Sequence, residues 1–202
     1  MPEAEENAIL SETGQVIYID EIERKFEEFA ERIPDKSQLY KPATFSAMLQ
    51  YAAQKYIIPQ YRKIQEIRNG RHEYKLLDKL FSFYVTTCGI YNNTPSVLGF
   101  TVFTGIEKSI LDQIRSGSYN SRLGNVNPET FQIVNQWFTI CETVNLTAAA
   151  SGSIGGMFVL KCCYQYQEAS QKIEVVTNVN PRQSAEQIRE KYRAAELPAL
   201  PE

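Results

Sequence analysis

The chain has 202 residues, of which 43% are hydrophobic and 22% charged, and it carries a net charge of −3 at neutral pH. That is the composition of an ordinary soluble protein of one or two domains, with enough chain to bury a core without metal or disulfide support. No apolar run approaches the ~18–20 residues of a membrane span, no basic-then-apolar leader opens the chain, and one histidine, His72, excludes any mechanism that needs two.

The net charge hides an asymmetry. Residues 1–35 hold eleven acids against three bases, whereas residues 36–75 hold eight bases against Glu66 and Glu73. A basic block inside an acidic protein points either to a polyanionic partner or to self-pairing with the acidic segment. Cys88, Cys141, Cys162 and Cys163 match no zinc spacing and sit among apolar residues, as reduced core thiols do. The expectation is a cytoplasmic protein with no cofactor, no metal and no membrane partner.

Taken in chain order, Ile19, Ile22, Phe26, Phe29 and Ile33 form one apolar stripe, which predicts a helix of roughly 15 residues stopped by Pro34. Pro42 opens a second helix through Phe45, Met48, Leu49, Ala52 and Tyr56. Pro59 is expected to interrupt it before Tyr61 to Arg68 resumes and stops at Gly70. Leu77, Leu80, Phe81, Tyr84, Val85 and Cys88 predict a helix from Tyr74 to about Tyr91.

Ser96, after Pro95, is placed to cap a short helix from Val97 to Phe103. Gly105 suits a tight turn, and a second short helix follows from Glu107 to Arg115. Phe100, Ile106, Leu111 and Ile114 stand at the apolar spacing by which two such helices pack at a steep angle in a helix-turn-helix, here at 95–116. Lys108, Ser109, Gln113 and Arg115 then share the outward face, placed to meet phosphates and base edges, and Arg122 extends the track. Glu107 and Asp112 oppose phosphate. Arg62, Lys63, Arg68 and Arg71 form a possible second DNA-binding surface. The same two-helix pattern is common in bundles that never touch DNA.

Pro128 starts a further helix with Phe131, Val134, Trp137, Phe138, Cys141 and Val144 on one face; the small residues 148–152 end it or bring it against a neighbour. This stripe is larger than a short bundle needs, so Trp137, Phe138 and the small residues 148–152 are expected at or next to a subunit contact. Lys172 to Thr177 alternates as a strand, and one strand must pair within the fold or with another copy. Ile173 and Val175 share one face of it. Ser184 caps a last polar helix. Enzyme motifs are lacking: there is no P-loop, no G-x-S-x-G elbow, and Gly152, Gly155 and Gly156 have no companion lysine. The reading is a non-enzyme.

The run Leu80-x-x-x-Tyr84-Val85-x-x-Cys88, followed by Asn93-Thr94-Pro95-Ser96-Val97-x-Gly99-Phe100-x-x-x-Thr104-Gly105-Ile106, resembles small subunits of tailed-phage terminase. Gly155 to Lys161, with Tyr164, Tyr166 and Glu168, is similar to the family's C-terminal pattern, and the likeness covers roughly residues 76–180. The resemblance implies an all-α, ring-forming packaging component. It would bind duplex DNA and hand it to a terminase large subunit that holds the ATPase and nuclease. The likeness does not extend to residues 1–70; with charge and periodicity added, the expected organisation is an acidic N-terminal helix or arm at 1–40, a helical DNA-binding region at 41–122, a helical oligomerisation region at 123–170, and a C-terminal strand and tail at 171–202. In such a ring Ile173 and Val175 would join an intersubunit β-crown. The alternative is a helix-turn-helix regulator or replication protein of a phage or mobile element.

Overall fold

Two apolar triplets flank Ser11-Glu12-Thr13-Gly14-Gln15 near the start of the chain, and they pair as an antiparallel hairpin, β1 (Ala8–Leu10) with β2 (Val16–Tyr18). Ile9 faces Ile17 and both are buried, while Leu10 and Tyr18 are exposed. Gly14, at φ +80°, lets the loop close, with its N–H donating to Ser11 O at 3.0 Å. The computed structural model describes residues 7–121, 124–125, 127–152 and 157.

The chain passes directly from β2 into α1 (Ile19–Ala30), which buries Ile22 and Phe26. The helix ends three residues short of the apolar stripe. Arg32 and Ile33 donate to Phe29 O and Ala30 O, three residues back rather than four, so the last turn tightens ahead of Pro34. A 3₁₀ turn (Lys36–Tyr40) leads to α2 (Pro42–Ala52), with its proline in the first turn.

Pro59 does not interrupt the helix as expected. A π-helical turn over Ala53–Ile57 widens the backbone just before it, and α3 (Ile58–Ile67) runs on with Pro59 in its first turn. A proline has no N–H to give and its ring crowds the preceding turn, and both problems vanish where a new helical segment begins. α3 stops at Asn69 and Gly70, both at positive φ.

α4 (Tyr74–Ile90) is the central helix, burying Leu76, Leu77, Leu80, Phe81, Tyr84 and Cys88. Two short helices follow, α5 (Val97–Thr104) and α6 (Lys108–Arg115). A two-residue antiparallel pair joins β3 (Asn120–Ser121) to β4 (Gly124–Asn125). α7 (Pro128–Ala150) closes the described fold; Asn127 Oδ1 caps it, accepting from Thr130 N–H at 2.7 Å. The small residues from Ala148 onward end it, with Gly152 at φ +89°.

Among the described residues the architecture is mainly helical, with two small antiparallel pairs. One hydrophobic core runs from Ile9 and Ile17 of the hairpin, through Phe26, Phe81 and Phe100, to Trp137 and Cys141 of α7. Residues 1–40 are therefore no separate arm over their described part, because the hairpin and α1 bury four isoleucine and phenylalanine side chains in that core. The acidic segment is also pinned by charge. The buried Glu73 carboxylate accepts from Ser11 Oγ at 2.6 Å and Glu12 N–H at 2.8 Å, and Arg68 pairs with Glu12 at 2.9 Å and Glu73 at 3.6 Å.

Trp137 and Phe138 are buried in the chain's own core. Trp137 has 0% and Phe138 4% of their surface exposed, within a single chain. The indole packs on Phe81 and Phe100, with ring centroids 5.5 and 5.1 Å away, and its Nε1–H donates to Asp78 Oδ1 at 2.7 Å. Within this chain α4, α5 and α6 pack on α7 and bury Val134, Trp137, Phe138 and Cys141 of the stripe, while Phe131 stays 40% exposed. Cys88 and Cys141 are buried thiols, and burial pushes Cys88 up to about 12. Arg122, Ile173, Val175, Cys162, Cys163 and the strand expected at 172–177 lie outside the described residues.

Candidate nucleic-acid interface

The α5–α6 segment is positioned by a small set of polar contacts. Ser96 is extended and its Oγ accepts from Gly99 N–H at 3.0 Å, so α5 starts where the sequence predicts. The Tyr84 hydroxyl, reaching up from α4, accepts from Ser96 N–H and donates to Ser96 O, each at 3.1 Å. Burial raises the Tyr84 phenol well above its ordinary value, so it remains a neutral donor. The hydroxyl occupies the space a side chain at position 99 would need. A Cβ on Gly99 would collide with Tyr84 Oη and stand 3.1 Å from Ser96 Oγ.

Thr101 and Thr104 are both buried. They tolerate it because their hydroxyls donate back to Leu98 O and Phe100 O at 2.8 and 2.9 Å. Gly105 ends α5 at φ +77°, donating its N–H to Thr101 O at 2.8 Å. A Cβ there would lie 3.0 Å from Ile58, so the turn rests closely on the start of α3. Phe100, Ile106, Leu111 and Ile114 are all buried, as their spacing predicts.

The outward face of α6 carries the expected residues, and most are engaged locally. Lys108 Nζ donates to Asp112 Oδ2 at 2.6 Å, one turn along the helix. Ser109 Oγ donates to Glu107 Oε2 at 3.3 Å. The Arg115 guanidinium lies 4.5 Å from the ring centroid of Phe138, tying the end of α6 to α7. Gln113 is exposed, and its backbone carbonyl accepts from Ser118 and Tyr119 N–H. An exposed pair one turn apart is worth about 0.3–0.5 kcal/mol, which a phosphate readily replaces. With Glu107 and Asp112 beside Lys108 and Arg115, the face is nearly neutral.

Of the basic block, Arg62, Lys63 and Arg71 are exposed and make no ion pair among the described residues, whereas Arg68 is committed to Glu12 and Glu73. Self-pairing thus accounts for one of these four cations. Next to them His72 is stacked on Tyr61, and its Nδ1 lies 3.0 Å from both Tyr61 Oη and Gln65 Nε2. Gln65 Nε2 can only donate, so the ring is held neutral at Nδ1. Burial lowers the His72 pKa, and the Glu107 charge partly offsets this.

Three features escaped sequence reasoning: the Tyr84 hydroxyl as the brace of α5, the anchoring of Arg115 on Phe138, and the Asn145 amide. Asn145 is buried and donates to Pro95 O at 3.2 Å, holding the α4–α5 loop to α7. No sequence signal marks the last two, because both join residues far apart in the chain. Among the described residues, no group of three or more His, Cys, Asp and Glu is arranged to hold a metal ion, and no helix is long and apolar enough to cross a membrane. No protein-family model matches the chain, and no curated protein or solved structure matches it.

Proposed function

We propose that this protein is a non-catalytic DNA-packaging component of the terminase small-subunit kind. On this reading it binds duplex DNA through α6 and the loop after it, assembles with copies of itself, and presents the DNA to a large subunit that carries out ATP hydrolysis and cleavage. The observation that supports the reading is the α5–Gly105–α6 unit. Two short helices meet at a left-handed glycine, their facing side chains Phe100, Ile106, Leu111 and Ile114 are buried, and Lys108, Ser109, Gln113 and Arg115 share the outer face of α6.

Lys108 and Arg115 would meet phosphates, and Ser109 and Gln113 phosphate or base edges. The acids on the same face make each subunit a weak binder, so useful affinity comes from several subunits on one DNA. Arg62, Lys63 and Arg71 offer a second cationic surface. Residues 172–178 would contribute one strand per subunit to an intersubunit crown.

Light scattering with and without duplex DNA tests this. A large closed assembly that retains DNA agrees with packaging. A DNA-binding dimer would instead indicate the helix-turn-helix regulator, and a monomer without DNA affinity would refute both.

A further inference from the structure

On the α1–α4 side of the fold a trough of about 380 Å³ opens between the two helices. Its floor is Phe26 and Phe83, stacked with ring centroids 6.3 Å apart, and its ends are Ile19 and the 67%-exposed Ile90. Glu23 and Glu27 stand along its α1 edge. Of the other acids on α1, Glu21 and Glu28 pair with Arg24 and Lys25, whereas Asp20, in the first turn, makes no ion pair among the described residues. Glu23 and Glu27 pair with no cation among the described residues, although they lie one turn apart, where like charges repel. Their field also reaches the half-buried Tyr91, whose phenol is raised first by burial and then by Tyr40, Glu23 and Glu27.

We propose that this trough docks an amphipathic, basic helical segment of a protein partner, independently of the DNA reading. Its apolar side chains would replace water over Phe26, Phe83 and Ile90. Its lysine or arginine residues would lie over Glu23 and Glu27 and relieve their repulsion. From Ile19 to Glu27 the α1 edge is roughly 12 Å long at ~1.5 Å per residue, the length of two helical turns. That matches a segment with apolar anchors at positions i, i+4 and i+7. Charge complementarity selects this occupant. An acidic segment would add to the repulsion, and a wholly apolar one would leave both carboxylates facing it without a partner.

The test uses the full chain, isotope-labelled at isoleucine methyls, with a 14-residue helical peptide of leucine and lysine as probe. Saturable binding that shifts the Ile19 and Ile90 methyl signals is expected, while the same peptide with glutamate for lysine leaves them unmoved. Glu23→Gln with Glu27→Gln weakens the lysine peptide about tenfold, and Ile90→Ser weakens it further. All three positions sit on the trough rim and Glu23, Glu27 and Ile90 are exposed, so the variants retain the parent's melting temperature. Equal affinity of the double glutamine variant, or shifts confined to other isoleucines, overturns the proposal. Concentration-dependent shifts of Ile19 and Ile90 without peptide would also overturn it, since the occupant is then a second copy.

Discussion

Replacing Gly99 with alanine sets a methyl group against the Tyr84 hydroxyl, on a tyrosine that is only 2% exposed and cannot swing aside. The ring is fenced by Phe81, Phe100 and Phe103 with centroids 5.7–6.2 Å away, so the hydroxyl moves only by breaking its two bonds to Ser96. Overpacking of this kind costs about 1–3 kcal/mol, and loss of the two hydrogen bonds adds about 1–2 kcal/mol. The better helix propensity of alanine returns about 0.5–1 kcal/mol. The net expectation is a loss of about 1–4.5 kcal/mol, read as a lower urea midpoint at unchanged slope. The decisive comparison repeats Gly99→Ala in a Tyr84→Phe background. With the oxygen gone the nearest obstacle on that side is the ring carbon, 3.2 Å from the new Cβ, and the cost shrinks to less than about 1 kcal/mol. Additivity of the two substitutions within about 0.5 kcal/mol would refute the account of how α5 is braced.

Gly105→Ala is expected to cost about 1–2 kcal/mol, from a left-handed φ of +77° and from contact with Ile58; an unchanged urea midpoint would contradict it. Trp137→Ala removes the indole that joins α4, α5 and α7, and should cost about 3–5 kcal/mol in chemical denaturation, whereas a loss under about 1 kcal/mol would restore the indole to an exposed contact. His72 has its pKa lowered in the fold, so the unfolded chain takes up its proton first. The stability contributed by the neutral ring is complete above the unfolded value of about 6.5 and is lost as pH falls below it. The parent should therefore lose more stability than His72→Gln between pH 7.5 and 5, and parallel pH profiles would exclude this role.

Helices α4 and α7 are legible because each carries a long stripe at helical spacing, and α5 and α6 because Ser96 and Gly105 punctuate them. The hairpin at 8–18 carries a fainter signal. Its strands have only three residues each, too few for a periodicity to stand out, although buried Ile9 and Ile17 alternate with the less buried Ala8, Leu10, Val16 and Tyr18 across a Gly14-containing loop. Pro59 misleads because a proline mid-pattern is compatible with either a break or a π turn, and only the backbone decides between them. The same limit applies to Trp137. A wide apolar stripe states that a helix is covered, but whether α4 or another subunit covers it depends on tertiary geometry. At the α6 face, sequence places Lys108, Ser109, Gln113 and Arg115 correctly on one side. The Phe138 ring beneath Arg115 is invisible to it, since that ring comes from a helix 23 positions further along the chain.

The central claim rests on α6 as a phosphate-binding face, and the salt dependence of DNA affinity measures that most directly. Lys108→Ala with Arg115→Ala should leave the fold and assembly intact, because neither side chain is buried and loss of the Arg115–Phe138 contact costs only about 0.5–1 kcal/mol, checked by melting temperature and light scattering. In the assembled protein the double variant should bind duplex DNA more weakly. Its plot of log affinity against log salt should flatten by about 0.9 for each phosphate that is no longer neutralised, in every subunit engaged on the DNA. Affinity and slope equal to the parent at every salt concentration would contradict the claim and move the DNA-binding surface to Arg62, Lys63 and Arg71.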